Sequence, residues 1–319
     1  MAKATLLDIA KLNGNDAVVG LIEESIQFSP EAAAVPFRTI SGTEYKTGIR
    51  TALPDAGFRQ ANNGFIPSKS KFKNKLVQAY IFGGRIEADK AVADAYEDGA
   101  EAWQAIEASG MMESAMRDFG KQFYYGTSED ANGFPGLDSV TPFGDSTTSG
   151  DDLTVDAGGT TAGEASSVYA VRFGERYTQG IVGREGAFDL PEFRIETITG
   201  ENGNPLDGYV STLTSWIGLQ TVNENAARRI LNLTDDSGKG LTDALLADLL
   251  DTFPVGVVPD VIMINRRSRK QLQKSRQVVL QGSGRTRPNQ PAIAPLPEEY
   301  DGIPLVVTDS ITNDNAIES

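Results

Sequence analysis

The stretch Asp89–Gly126, DKAVADAYEDGAEAWQAIEASGMMESAMRDFGKQFYYG, decides how the rest of the chain is read. At helical spacing Val92, Ala95, Tyr96, Gly99, Ala102, Trp103, Ile106, Met112, Ala115, Met116, Phe119 and Phe123 fall on one stripe, and carboxylates occupy much of the remainder. Asp89 offers an N-cap side chain and Gly126 a stop. A continuous helix of this length would run about 55 Å, against about three turns for an ordinary globular helix. Gly99 and Gly110 are the points at which it could kink or divide into two core helices, each glycine costing about 1 kcal/mol. The preceding element favours the single spine.

That element is a pair of long extended arms. Over Thr43–Leu53 one face carries Tyr45, Thr47, Ile49 and Leu53, and Glu44, Lys46 and Arg50 take the other. Over Lys69–Ile81 the period is again two, with Lys69, Lys71, Lys73, Lys75, Val77, Ala79 and Ile81 on one face. Between them lies PDAGFRQANNGFIP, dense in turn residues. Strands commonly run about five or six residues; these are longer, and their distal halves read as too polar to enter a core. A hairpin that cannot bury itself reaches for another molecule.

A chain of 319 residues is long enough for one large or two modest domains with a sizeable core. It has no cysteine, so disulfides and thiolate metal sites are excluded. It has no histidine either, which removes Ser-His-Asp and Cys-His catalysis and the usual zinc sites. No apolar run approaches the ~18 residues of a membrane span, and the N-terminus lacks signal-peptide features; a soluble protein made in a cytoplasm, with no membrane partner, is expected.

The net charge of −15 is distributed in blocks. Residues 38–85 hold nine basic groups against Glu44 and Asp55, residues 89–165 hold sixteen acids against Lys90, Arg117 and Lys121, and residues 261–287 hold eight bases and no acid. Alternating blocks of sign suit a chain that packs against copies of itself.

In chain order, residues 1–35 read as an arm punctuated by Pro30 and Pro36. After Gly126 comes a Gly-, Ser- and Asp-rich surface loop without EF-hand spacing. Strands are predicted at Val168–Phe173, Phe193–Ile198 and Tyr209–Leu219, and a helix at Val222–Leu233, with Ala226, Ala227, Ile230 and Leu231 as its apolar positions. A second helix follows Thr242 as N-cap and ends at Pro254. Val261–Ile264 reads as a buried strand feeding a basic helix from Arg266, and Ile303–Val307 as the last strand, together a small α/β unit. The Gly282-Ser283-Gly284-Arg285 run lacks the third glycine of a dinucleotide fingerprint. DDSGKGLT at 235–242 lacks the P-loop spacing and reads as a helix-entry turn. The basic segment has no aromatic residue for base stacking, so an inter-subunit contact is preferred to DNA binding.

Four stretches carry a resemblance: FRTISGTEYKTGIRTALPDAGFRQANNG, SSVYAVRFGERYTQGIVGREGAFDL, YVSTLTSWIGLQTVNENAARRILNL and YDGIPLVVTDSI. In their order, with the arm, basic hairpin and acidic helix, the chain resembles the major capsid proteins of tailed bacteriophages, the Hong Kong 97-type fold. The resemblance implies an α+β chain with an N-terminal arm (1–35), an extended hairpin or E-loop (36–88), a peripheral domain with a spine helix and sheet (89–235) and an α/β axial domain (236–319). It implies a structural, non-enzymatic shell protein without cofactor or metal, forming hexamers and pentamers of an icosahedral virion shell around double-stranded DNA that it does not read by sequence. Partners implied are a separate scaffolding protein, a portal and possible decoration proteins, with assembly in the host cytoplasm. Some relatives crosslink a hairpin lysine to a neighbour; here only the lysines could be placed.

The expected inter-subunit contacts are Arg59, Lys69, Lys71, Lys73 and Lys75 of the hairpin, lying across Glu97, Asp98 and Glu101 of an adjacent copy, with Arg266, Arg267 and Arg269 meeting neighbours or the shell interior. The alternatives are an encapsulin-type compartment and an acidic β-rich carbohydrate-binding or glycoside-cleaving protein.

Overall fold

The computed structural model describes residues 29–138, 153–184, 190–221, 223, 225–282 and 294–318. Most of the predicted arm and the glycine run after Gly282 therefore lie outside the described residues. The chain enters through a single helical turn, α1 (Glu31–Ala34), and a short strand, β1 (Phe37–Thr39). The hairpin strands β2 (Glu44–Ala52) and β3 (Lys71–Gln78) follow, then β4 (Tyr80–Asp89). Next come α2 (Lys90–Ala93), α3 (Ala100–Tyr125), β5 (Thr154–Asp156), β6 (Ser166–Val171), β7 (Thr178–Val182), β8 (Arg194–Thr199) and β9 (Pro205–Thr221). The chain continues with β10 (Ala227–Leu233), α4 (Asp243–Asp251), β11 (Val261–Ile264), α5 (Arg266–Gly282), β12 (Glu299–Tyr300) and β13 (Ile303–Val307).

The proposed spine is divided. Asp89 does cap a helix, its side chain accepting from the Ala91 amide, but that helix is the one-turn α2. Gly99, at φ +88°, turns the chain before α3 starts, a conformation that costs a residue with a Cβ far more. Gly110 lies exposed within α3 and does not interrupt it. The remaining helix has 26 residues, about 39 Å at about 1.5 Å per residue, and stops where expected at Gly126, φ +54°.

Two sheets take most of the strands. In the first, β9 runs down the middle, with β4 antiparallel along one edge and β7 and β8 sharing the other; β1 adds parallel to β7. The second has the order β12-β13-β11-β6-β10-β5 and joins strands from both sides of residue 236. Its central strands are covered on both faces, so their side chains alternate between two cores. Tyr169, Val171, Val261 and Met263 pack with Phe119, Phe123 and Tyr124 of α3, and with Val35, Phe134, Ile217 and Ile311. Val168, Ala170, Ile262 and Ile264 pack with Leu246, Leu249 and Leu272 of α4 and α5. Continuous apolar runs such as VIMI are what two-sided burial demands. At the other end of α3, Trp103 packs against Ile86, Ala88, Ala93 and, edge-on, Phe193.

The helix predicted over Val222–Leu233, of which Val222 and Glu224 lie outside the described residues, is not formed: Ala227–Leu233 is the strand β10. Ala226, Ala227, Ile230 and Leu231 have helical spacing only if Arg228 and Arg229 are taken as solvent positions. Both arginines are buried. Arg228 lies over the Phe253 ring and donates to the Thr252 carbonyl; Arg229 bonds Ser167 and Glu318. With both faces of β10 occupied, tertiary packing overrides the local period.

Candidate assembly surfaces

The hairpin is built on a ladder from Glu44↔Gln78 to Ala52↔Lys71, with a register shift between Arg50 and Ala52. Beyond it residues 53–70 form no strand. The Ser68 hydroxyl donates to the Asp55 carbonyl across the two arms, and Arg59 donates to the Asn63 carbonyl at 2.8 Å while lying over the Phe65 ring. The outer part is less polar than expected. Leu53, Phe58, Phe65, Ile66 and Phe72 are all exposed, Phe58 completely. Spaced among turn formers they carry no periodic signal in the sequence, and each leaves apolar area in water.

Of the four hairpin lysines, Lys69, Lys71 and Lys73 are exposed. Lys75 is half-buried, and its Nζ donates to the Thr221 carbonyl at the end of β9, 2.6 Å away. Burial, then the Lys73 charge, pushes its pKa down. Lys75 thus ties the hairpin base to the first sheet of its own chain. Val77 and Ala79 continue the lysine face into the core, but Ile81 does not; it lies on β4 opposite Trp216 and is 67% exposed. The face changes because Ala79 belongs to neither strand, its amide bonding back to the Thr43 carbonyl as the chain passes between sheets.

Glu97 and Asp98 are exposed in the turn between α2 and α3, and Glu101 in the first turn of α3, where a carboxylate suits the helix dipole. A second acidic region sits towards the far end of α3. There a cleft of about 390 Å³ is lined by Tyr80, Phe82, Asp118, Glu129, Asp130 and Phe134, with Lys121 paired to Glu129 at 3.4 Å. Nothing in the sequence joined β4 to the loop after α3.

The basic helix α5 spends its arginines differently from expectation. Arg266 is exposed and pairs with Asp309 at 3.3 Å. Arg267 donates to the Glu164 and Leu233 carbonyls, Arg269 to the Pro297 carbonyl, and Arg276 grips Asp243 through two nitrogens. A segment without an acid of its own finds counter-charges and carbonyls elsewhere in the chain. The sequence reading also passed over the Arg229 network and Glu31, a carboxyl with no exposed surface whose Oε2 accepts from Ser310. Charges set among apolar residues, Glu31 before AAAV and Arg229 before IL, were the available signal. Among the described residues no cluster of His, Cys, Asp or Glu could hold a metal ion, and no helix is long and apolar enough to cross a membrane.

Comparison with known proteins agrees in direction. The family described as major capsid protein GP7 matches residues 30–317. The capsid structure of bacteriophage Epsilon15 is 19% identical, with a TM-score of 0.69 over 100% of this chain and 98% of that one. The bacteriophage JBD30 capsid gives 11% identity and 0.49 over 97% and 99% of the two chains. The SrpI encapsulin of Synechococcus elongatus is more distant, at 8% identity and 0.46 over 73% and 97%. No curated protein matches the chain.

Proposed function

Since the chain belongs to the major capsid protein GP7 family and is a shell subunit of a virion, we propose that its copies form hexamers and pentamers of an icosahedral shell enclosing double-stranded DNA. In this reading residues 1–35 are the arm, 36–88 the E-loop, 89–235 the peripheral domain with α3 as spine, and 236–319 the axial domain, which shares its sheet with β5, β6 and β10. The subunit is structural, without catalysis or cofactor. A separate scaffolding protein, a portal and decoration proteins are its assembly partners in the host cytoplasm.

One observation carries the assembly reading: the hairpin leaves Leu53, Phe58, Phe65 and Ile66 in water beside exposed Lys69, Lys71 and Lys73. An adjacent copy supplies counter-charges for the lysines, Glu97 and Asp98 in the turn before α3 and Glu101 in its first turn. Electron microscopy and light scattering of the purified protein test this. Capsomers or closed shells are the expected result; a stable single-chain species at every salt concentration would overturn the reading.

A further inference from the structure

The segment after Ile311 is held in an unusual way. Ile311 is the last residue it buries in a core, and Thr312–Glu318 forms no helix or strand. This segment is gripped almost wholly by polar contacts. The Tyr125 hydroxyl accepts from the Thr312 amide, Asn265 donates to the Asn313 side chain, and Asn315 exchanges both backbone bonds with Ala165.

The grip is tightest at Glu318. Asn232, held at φ +56°, reads its main chain from both sides, accepting from the Glu318 amide at 2.9 Å and donating to its carbonyl at 2.8 Å. Arg229, 3% exposed, forks onto the carboxylate at 3.0 and 2.5 Å. Ser167 fixes the guanidinium from the other side at 2.9 and 3.1 Å, and the Tyr169 ring lies beneath it. One side chain reads both backbone groups of a residue and a bidentate arginine reads its carboxylate, which is how extended acidic peptides are recognised. The arginine also keeps a resident counter-ion, Asp138 at 3.4 Å. Departure of Glu318 would therefore not strand a buried charge, the step that makes most buried ion pairs costly to open.

We propose that Arg229, Asn232 and Ser167 form a peptide-binding cradle for a glutamate in an extended segment, which the chain's own residues 315–318 fill as an exchangeable strap. The ligand class is an acidic peptide. Because the cradle reads a main chain and one carboxylate, it takes such a peptide from the same segment of a second copy or from another protein by the same contacts. The cradle lies within one subunit and does not depend on the shell reading.

The test uses the full chain, unassembled, with a fluorescein-labelled peptide of residues 312–319. A short tether gives the resident strap an effective concentration of about millimolar, so the wild-type chain should bind the peptide weakly. Glu318→Gln loosens the strap at its half-exposed end and should bind at least tenfold more tightly. The same peptide with Gln in place of its glutamate should lose that gain. Arg229→Lys, which keeps the charge but not the fork, should bind both peptides alike; if it does not fold, the Glu318→Gln comparison decides alone. An unrelated octapeptide carrying one glutamate distinguishes the sources. Equal binding assigns the cradle to acidic segments generally, and binding only of the native segment assigns it to a second copy. If Glu and Gln peptides bind the Glu318→Gln chain equally, or neither binds at about 1 mM, the cradle is only an internal clamp and the proposal falls.

Discussion

Glu31, the first residue of α1, is wholly buried beside Gly120 and Ser310. Burial raises its pKa above the ordinary 4.5, and hydrogen bonds from Thr308, Tyr124 and Ser310 only partly offset the rise. A folded-state carboxyl that holds its proton more tightly than the unfolded one favours folding most below 4.5, and that contribution fades as pH climbs through the raised value. Glu31→Gln keeps most of the shape and removes the charge. Thermal melts of the unassembled subunit should show the variant losing less stability than wild type between pH 5 and pH 8. A variant with the same or a steeper loss would show that Glu31 titrates without consequence for folding.

At the scale of elements, the β4–β9 pair shows how closely two backbones can be required to approach. A Cβ on Gly83 would overlap the Leu213 carbonyl, whereas on Gly84 it would meet only the Met111 side chain, which can swing aside. Gly83→Ala should cost about 1–3 kcal/mol, as overpacking does, and Gly84→Ala clearly less; urea melts would reverse that order if the strand shifts freely. The hairpin separates into two roles in a similar way. Lys69, Lys71 and Lys73 replaced by Glu should leave the subunit's melting temperature unchanged while blocking assembly, and Lys at Glu97, Asp98 and Glu101 should partly restore it. Lys75→Glu should destabilise the subunit itself, since Lys75 bonds its own β9. Single exposed pairs are worth ~0–1 kcal/mol, so the assembly effect depends on repetition at every contact and should weaken as the Debye length falls to ~3 Å in 1 M salt. Normal shells from the triple-Glu protein would mean that the hairpin is held by its apolar tip rather than by charge.

Across the whole molecule, each basic block divides between its own chain and the surface. Lys69, Lys71 and Lys73 are exposed while Arg38, Lys75 and Arg85 bond within the chain, and Arg267, Arg269 and Arg276 turn to carbonyls and an acid of their own chain while Arg266 is exposed. Arg266→Ala should therefore lower assembly yield with an unchanged melting temperature, because Arg266 is exposed and its pairing with Asp309 is a surface one. Arg267→Ala removes donors to two carbonyls and should lower the melting temperature of the unassembled subunit. Particle yield and DNA content read together discriminate further. If Arg266→Ala assembles normally and loses only DNA, the basic helix serves the packaged nucleic acid instead of a neighbour.

By itself the sequence determined the elements whose signals are local. Thr242 accepts from the Leu245 amide and starts α4 as an N-cap should, VIMI and IPLVV became β11 and β13 at the expected residues, and Gly126 stops α3. The long hairpin was legible for the same reason: period-two patterning and turn residues are written along the chain. Tertiary structure decided what depends on which surfaces meet. Gly99 rather than Gly110 divides the spine because the chain turns there, so that α3 sets Trp103 against Ile86 and Ala93 and carries Phe119, Phe123 and Tyr124 into the core shared with β6 and β11. Residues 227–233 are a strand because β5 and β6 claim its edges while burial of Arg228 and Arg229 fills its faces. The Arg229 cradle draws Asp138, Ser167, Asn232 and Glu318 from separate regions of the chain. No local period records such a meeting, since each partner's free energy of burial depends on the others already being in place.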